Sequence, residues 1–213
     1  MACAMNAQDF HGISIGGTLQ APTIVNHADK AVYAYVLVIS KDTTRTDYNT
    51  GEQVPYTLTY VVFSSDRIIL RGGIKPGEEL PVGFMILGVE YSHLDPVTKQ
   101  FIPAGNTTGY KLTGVLFSDG TFYGNDVELQ RLTGAVALYR NYARKMQNDA
   151  DRERQMDADS RLEYQQMASM PPELQPIRTL AATIIMVRNN EGPGEMNKAL
   201  ARIADIPELR KGQ

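Results

Sequence analysis

The chain has few of the residues that build metal centres and disulfides. Cysteine occurs once in 213 residues, as Cys3, which excludes a disulfide within the chain and any zinc or iron–sulfur site that needs several thiolates. The three histidines, His11, His27 and His93, are scattered without the spacing of metal ligands. We therefore assign no catalytic, cofactor-binding or metal-binding residue and no cofactor from the sequence.

Long apolar runs and an excess of basic charge are also missing. The longest apolar stretch, residues 180–187, is much shorter than the ~18 residues of a membrane-spanning helix. The net charge of −3 gives no electrostatic basis for binding nucleic acid or an anionic membrane. The sequence predicts a globular protein with a sizeable core, no transmembrane segment and no nucleic-acid partner.

The first residues have an unusual pattern. No basic start and no apolar segment precede residue 10, so a complete signal peptide is not present. Ala2-Cys3-Ala4 nevertheless has the small-x-small form of a cleavage site. One hypothesis is that Met1 is internal and that the protein is extracytoplasmic; the alternative is a flexible N-terminus over residues 1–9.

The composition changes near residue 125. All six phenylalanines, eight of eleven tyrosines and fourteen of eighteen glycines lie before it, whereas six of nine methionines lie after it. Aromatic, glycine-punctuated sequence favours strands and turns, and the later composition favours helices. The sequence predicts an α+β chain: an antiparallel β-sandwich over residues 10–124 and a region of about three helices over residues 125–213.

Short apolar or alternating runs between turn residues predict the strands. The predicted strands are residues 13–19, 23–26, 33–40, 56–63, 67–73, 80–91 and 110–117.

Asp119-Gly120 lies between two apolar runs. An Asp-Gly pair there predicts a two-residue type I′ hairpin turn, with Ser118 facing Thr121 and Phe117 facing Phe122. A calcium loop would need more oxygen ligands at alternating positions.

Two stretches carry a resemblance. Residues 74–84 place a Lys-Pro-Gly-Glu turn before an apolar strand, and residues 21–40 place an asparagine turn between two apolar strands. In these features residues 10–124 loosely resemble bacterial immunoglobulin-like and fibronectin-III-like modules. The resemblance implies a two-sheet sandwich. No Cys…Trp…Cys pattern is present, so an antibody-type domain is not implied.

Three helices are predicted after the hairpin. Asn125 with Glu128 three residues later forms a capping-box pattern, and a helix follows over about 126–148. Further helices are predicted over 177–189 and 195–206. The charged residues 148–167 predict a solvated helix or a mobile linker.

The apolar helix faces must be buried, either within the chain or against another molecule. Five methionines would give an adaptable surface for a homo-oligomer or a protein partner, or would fill a core. They are Met146, Met156, Met167, Met170 and Met186.

Few patterns suggest chemistry. His93 and Asp95 have the spacing of a possible dyad, and residues 106–108 match a glycosylation acceptor. Two polar stretches, 40–55 and 92–109, are loops where binding would be expected, or extended hairpin tips.

Three functions remain open on this basis. The first is a non-enzymatic immunoglobulin-like binding or structural module whose helices mediate packing or assembly. The second is a small enzyme or enzyme accessory domain with a site between sandwich and helices. The third is a cytoplasmic regulator whose helical tail docks a partner.

Overall fold

The structure is a computed structural model that describes residues 9–47, 49–64, 66–82, 93–94, 101–102, 106–148, 151–160 and 174–212. It is a mixed α+β protein. The strands are β1 (Ile13–Gly17), β2 (Pro22–Asn26), β3 (Val32–Thr46), β4 (Gln53–Ser64), β5 (Glu79–Pro81), β6 (His93–Leu94), β7 (Phe101–Ile102), β8 (Asn106–Phe117), β9 (Thr121–Tyr123) and β10 (Arg210–Lys211). The helices of the described residues are α1 (Asp66–Leu70), α2 (Asp126–Asn148), α3 (Arg152–Ser160), α4 (Leu174–Glu191) and α5 (Pro193–Ala204).

The chain divides into two compact units. The strand-rich unit comprises Met1–Asp29, Val36–Phe63 and Pro76–Thr113. The helical unit comprises Lys30–Tyr35, Ser64–Lys75 and Gly114–Gln213. The helical unit therefore contains the β8–β9 turn and α1 in addition to the helices after residue 125.

In the strand-rich unit, β2 pairs antiparallel with β1 on one side and with β5 on the other. Ile24 lies opposite both Ile15 and Leu80, and it is fully buried. The asparagine turn after β2 is confirmed, since the buried Asn26 accepts a hydrogen bond from the Ala28 amide through Oδ1 at 2.9 Å. The predicted strands at 13–19 and 23–26 are confirmed with slightly different ends.

The predicted polar loop 40–55 is mostly strand. β3 continues to Thr46 and β4 begins at Gln53, so only residues 47–52 connect them. Asp47 closes this connection, because its amide donates to the Glu52 carbonyl at 2.8 Å and its carbonyl accepts from the Gly51 amide at 2.9 Å. An extended hairpin tip is therefore the correct alternative for this stretch.

Five strands form the largest sheet, in the order β10, β9, β8, β3 and β4. β8 and β9 are antiparallel, but β10 lies parallel to β9. The sequence did not predict β10, which lies outside the predicted β region 10–124 and adds a parallel strand at this edge. Two exposed residues, Arg210 and Lys211, carry no apolar alternation that would mark a strand.

The predicted strand 67–73 is a one-turn helix instead. α1 spans Asp66–Leu70 and ends where the Gly72 amide donates to Ile69 and the Gly73 amide to Ile68. Both glycines have positive φ, +86° and +90°, which suits a helix C-terminus. Ile68, Ile69 and Leu70 are all buried, and an apolar run of this length has the same pattern in a buried strand and a buried helix.

The Asp119-Gly120 hairpin is present, but its loop has three residues. The register pairs Val115 with Tyr123 and Leu116 with Phe122, so Phe122 does not face Phe117 as predicted. The Gly120 amide donates to the Phe117 carbonyl at 3.0 Å, and Gly120 has φ +84°. A type I turn followed by a glycine bulge explains this geometry and shifts the register by one residue.

The predicted helix 126–148 is confirmed as α2, and the predicted helices 177–189 and 195–206 correspond to α4 and α5. Four helices, rather than about three, follow residue 125 in the described part of the chain. The additional helix is α3, which lies within the stretch predicted as a solvated helix or a mobile linker. One side of α3 is packed against the protein, because Met156 is fully buried and Asp159 accepts a hydrogen bond from Tyr142 Oη at 2.9 Å.

The core of the helical unit lies among α2, α3, α4 and α5, which pack against one another. Met146 and Met156 are fully buried there, whereas Met186 is 51% exposed; Met167 and Met170 lie outside the described residues. Packing within the chain thus accounts for most of the apolar helix faces. Among the described helices, none is both long and apolar enough to cross a bilayer.

Candidate functional site

The helical unit contains a surface groove of about 440 Å³ between α1, α4 and α5. Its position follows from the turn at Gly72-Gly73, which ends α1, and from the break at Gly192, which separates α4 from α5. Residues of both charge signs and of apolar character line it: Leu70, Arg71, Thr183, Met186, Val187, Asn190, Glu191, Glu195 and Arg202.

Arg202 fixes one wall of the groove. Its Nη1 donates a 2.8 Å hydrogen bond to the carbonyl of Leu70, the last residue of α1. A guanidinium at this position satisfies a carbonyl that has no partner within the helix and lies at the negative end of the helix dipole. Arg202 therefore holds α5 to the end of α1, and only part of its donor capacity remains for a ligand.

Glu195 lies in the first turn of α5. Its carboxylate accepts a 2.5 Å hydrogen bond from Lys198 Nζ, three residues later. That hydrogen bond, with smaller electrostatic contributions from Lys198 and Arg202, lowers the pKa of Glu195. The carboxylate thus stays ionised, and an ionised carboxylate beside a lysine suits charge pairing rather than proton transfer.

The apolar part of the groove is formed by Met186 and Val187 of α4 and by Leu70. In the part of the chain that the structure describes, two large hydrophobic residues are strongly exposed: Met186, at 51%, and Val127, at 66%. A flexible thioether in an open groove adapts to differently shaped apolar groups. The groove can therefore bind an apolar side chain between charged rims.

A second polar pair lies in the strand-rich unit. Ser14 Oγ and His27 Nε2 are 2.9 Å apart. The register of β1 and β2 places Ser14 opposite Val25, so His27, two residues further, lies diagonally across on the same face. Ser14 is 8% exposed and His27 is exposed. A hydroxyl within hydrogen-bond reach of an imidazole is the first requirement of an activated serine.

The β8–β9 turn is a third cluster of charge. Lys30 Nζ donates to Asp119 Oδ2 at 2.8 Å, and Arg210 Nη2 lies 3.5 Å from the same oxygen. The Lys30 hydrogen bond, together with the amide of Thr121 at 2.9 Å, holds the pKa of Asp119 well below its ordinary range. These contacts close a turn, in agreement with the sequence prediction that Asp119-Gly120 forms a turn rather than a ligand loop.

The remaining sequence candidates are not brought together. His93 lies in the two-residue strand β6, and Asp95, its proposed partner, lies outside the described residues, as does Cys3. In the 106–108 tripeptide, Thr108 is exposed and its Oγ1 donates to the Ser40 carbonyl at 3.3 Å. Most of the predicted loop 92–109 also falls outside the described residues.

The groove and the Ser14–His27 pair were both missed from the sequence. The groove depends on α1, which was predicted as a strand. The pair would have followed from the alternation of β1 and β2 only if their register had been known.

No group of three or more histidine, cysteine, aspartate or glutamate side chains that would hold a metal ion occurs among the described residues. Comparisons with protein-family models, curated proteins and solved structures find no match to this chain.

Proposed function

We propose that the chain is a non-enzymatic binding module, with a strand-rich unit of immunoglobulin-like or fibronectin-III-like type and a helical unit that binds a protein partner in its groove. For the strand-rich unit, support comes from the asparagine turn at Asn26 and from the Pro76-Gly77 turn that leads into β5. Both features belong to the pattern on which the resemblance rests.

The single observation that carries the binding role is the composition of the groove. Met186 is exposed between charged rims, while Arg202 and Glu195 already bind Leu70 and Lys198. Because the charged side chains of Arg202 and Glu195 are held by contacts within the chain, they are better suited to a rigid recognition surface than to catalysis.

The partner that fits is a peptide segment with one apolar side chain between charged residues. The apolar side chain would cover Met186, an acidic residue would lie near the exposed Arg71, and a basic residue near Glu191. Such pairing would fix orientation and register, while the buried apolar contact would supply most of the affinity.

The test uses a random peptide library displayed on phage and selected against the immobilised full chain. Enriched peptides are then synthesised, and their affinities are measured by isothermal titration calorimetry. Replacing Met186 with Glu should weaken them at least ~10-fold, because a carboxylate would replace the apolar floor of the groove.

Val127→Glu is the matched control, since it introduces the same charge at the other exposed apolar position, on α2. It should leave the affinities unchanged. If no peptide is enriched over a blank surface, or if the enriched peptides bind M186E as tightly as the unaltered protein, the groove is not the binding site.

A small enzyme is the second candidate, and the Ser14–His27 distance of 2.9 Å favours it. A serine activated by an adjacent imidazole would react with a fluorophosphonate probe. Labelling that disappears in both Ser14→Ala and His27→Gln would support hydrolase chemistry. Labelling that is absent, or unchanged in S14A, would leave the pair as a structural hydrogen bond between β1 and β2.

A further inference from the structure

The segment that follows α5 covers the outer edge of β9. Strand β10 lies parallel to β9, with Arg210 opposite Thr121 and Lys211 opposite Phe122. The Arg210 amide donates to the Gly120 carbonyl at 2.9 Å, and the Gly212 amide donates to the Phe122 carbonyl at 2.7 Å. The other edge of β9 is occupied by β8.

Side chains next to β9 also contact this segment, in addition to the backbone pairing. Asp119 accepts from Arg210, and Asp126 forms an ion pair with Lys211. Gly212 lies against the ring of Tyr123, where an added Cβ would collide with the ring. Every one of these receiving groups belongs to residues 119–126, so one short stretch forms a complete site for this strand.

The pairing between β10 and β9 is nevertheless weak. It is two residues long and parallel, and both strand side chains are exposed. Its ion pairs lie at the surface, where solvent screens them. Ile206 is buried just before it, at 2% exposure, whereas residues 207–209 have no regular structure. Segments with few buried contacts open locally, and the opened edge of β9 would present unpaired backbone carbonyls.

We propose that the β9 edge is a strand-acceptor site for residues 210–212, which two copies of the chain exchange. In the structure the segment binds its own β9. In the exchanged dimer residues 210–212 bind β9 of a second copy, which reproduces the contacts of these three residues because the sequence is the same. The three connecting residues, 207–209, span at most ~10 Å, so the two β9 edges would lie side by side about a twofold axis. This inference does not depend on the groove.

The test uses full-length variants in which Cys3 is replaced by serine. The double variant T121C/R210C should form an internal disulfide, because neighbouring strands have a spacing that a disulfide bridges. T121C carrying an affinity tag and untagged R210C are then mixed at high concentration and oxidised. Exchange should give a covalent heterodimer on a non-reducing gel.

Random collisions are measured with tagged Q130C in place of T121C, since Gln130 is exposed on α2 and is not opposite β10. Exchange predicts several-fold more heterodimer with T121C than with Q130C. It also predicts that adding Gly212→Val to R210C abolishes the excess, while the helical circular dichroism is unchanged. Equal amounts with the two partners would refute exchange, and so would a double variant that forms neither an internal disulfide nor a disulfide between two copies.

Discussion

Asn125 and Glu128 exchange hydrogen bonds at the start of α2. The Glu128 amide donates to Asn125 Oδ1 at 2.9 Å, and the Asn125 amide donates to Glu128 Oε2 at 3.3 Å. This reciprocal capping box satisfies two amides that have no partner within the helix. It lies directly after the β8–β9 hairpin and therefore fixes where the chain changes from strand to helix.

Replacing Asn125 with alanine should lower the free energy of unfolding by about 1 kcal/mol, because the Glu128 amide loses its acceptor. Urea denaturation followed by circular dichroism at 222 nm measures the change. Gln130→Ala serves as the control, since Gln130 is exposed on the same helix; it should change stability by less than about 0.5 kcal/mol. Equal effects of the two substitutions would show that the capping box contributes nothing.

Gly120 is required for two reasons that can be separated. Its φ of +84° is unfavourable for other residues, and an added Cβ would collide with the Glu208 carbonyl oxygen. Gly77 has a similar φ of +76° but open space around it. Gly77→Ala should therefore cost the conformational strain alone, about 1 kcal/mol.

Gly120→Ala should cost clearly more than Gly77→Ala in the same urea experiment, and it should also speed hydrogen exchange of the Arg210 and Gly212 amides, which bind the same hairpin. If the two substitutions are equally costly and exchange at these amides is unchanged, the segment 207–212 does not pack on the β8–β9 turn.

Tyr142 should make the stability of the folded protein decrease at alkaline pH. It is buried on α2, and its Oη donates to Asp159 Oδ2 at 2.9 Å. Burial first, and then the charge and hydrogen bond of Asp159, raise the pKa of Tyr142 above the ordinary 10.0. In the unfolded chain the phenol ionises near the ordinary value, so the stabilisation is complete below about pH 10 and is lost as the pH rises above it.

Tyr142→Phe should lower the free energy of unfolding by about 1.5 kcal/mol at pH 7, because a partly buried hydrogen bond to a carboxylate is lost. Above about pH 10 the difference between the two proteins should shrink, since only the unaltered protein loses the Tyr142 contribution. Urea denaturation at about pH 7, 9 and 11 measures both effects. A difference that stays constant with pH would contradict the raised pKa.

The sequence was informative where local chemistry decides the structure. The capping box marked the start of α2, and the Asp-Gly pair marked the hairpin, because both signals act over three or four residues. The hairpin register was wrong by one residue, since the same Asp-Gly pair fits a two-residue loop and a three-residue loop with a glycine bulge. At Gly120, Pro207 and Glu208, which are far away in sequence, lie where a Cβ would be, so this position of the turn is also set by tertiary surroundings.

The features that the sequence did not predict depend on tertiary contacts. Residues 68–70 are apolar without periodicity, and their helical form depends on the C-terminal glycines and on Arg202, which binds the Leu70 carbonyl from 132 residues away. Strand β10 consists of two charged residues that pair only because β9 offers an edge. The groove and the Ser14–His27 pair depend on such long-range placement, which is why no single sequence motif indicated them.

Met146 and Met186 separate the two roles that the sequence left open for the methionines, since Met146 is fully buried and Met186 is 51% exposed. Met146→Ala should lower the free energy of unfolding by about 3 kcal/mol, because it removes buried apolar surface and leaves a cavity in the core. Met186→Ala should change it by less than about 0.5 kcal/mol. Urea denaturation of both variants measures the contrast. Similar losses for the two would mean that Met186 is part of the core, and the groove would then have no exposed apolar floor to offer a partner.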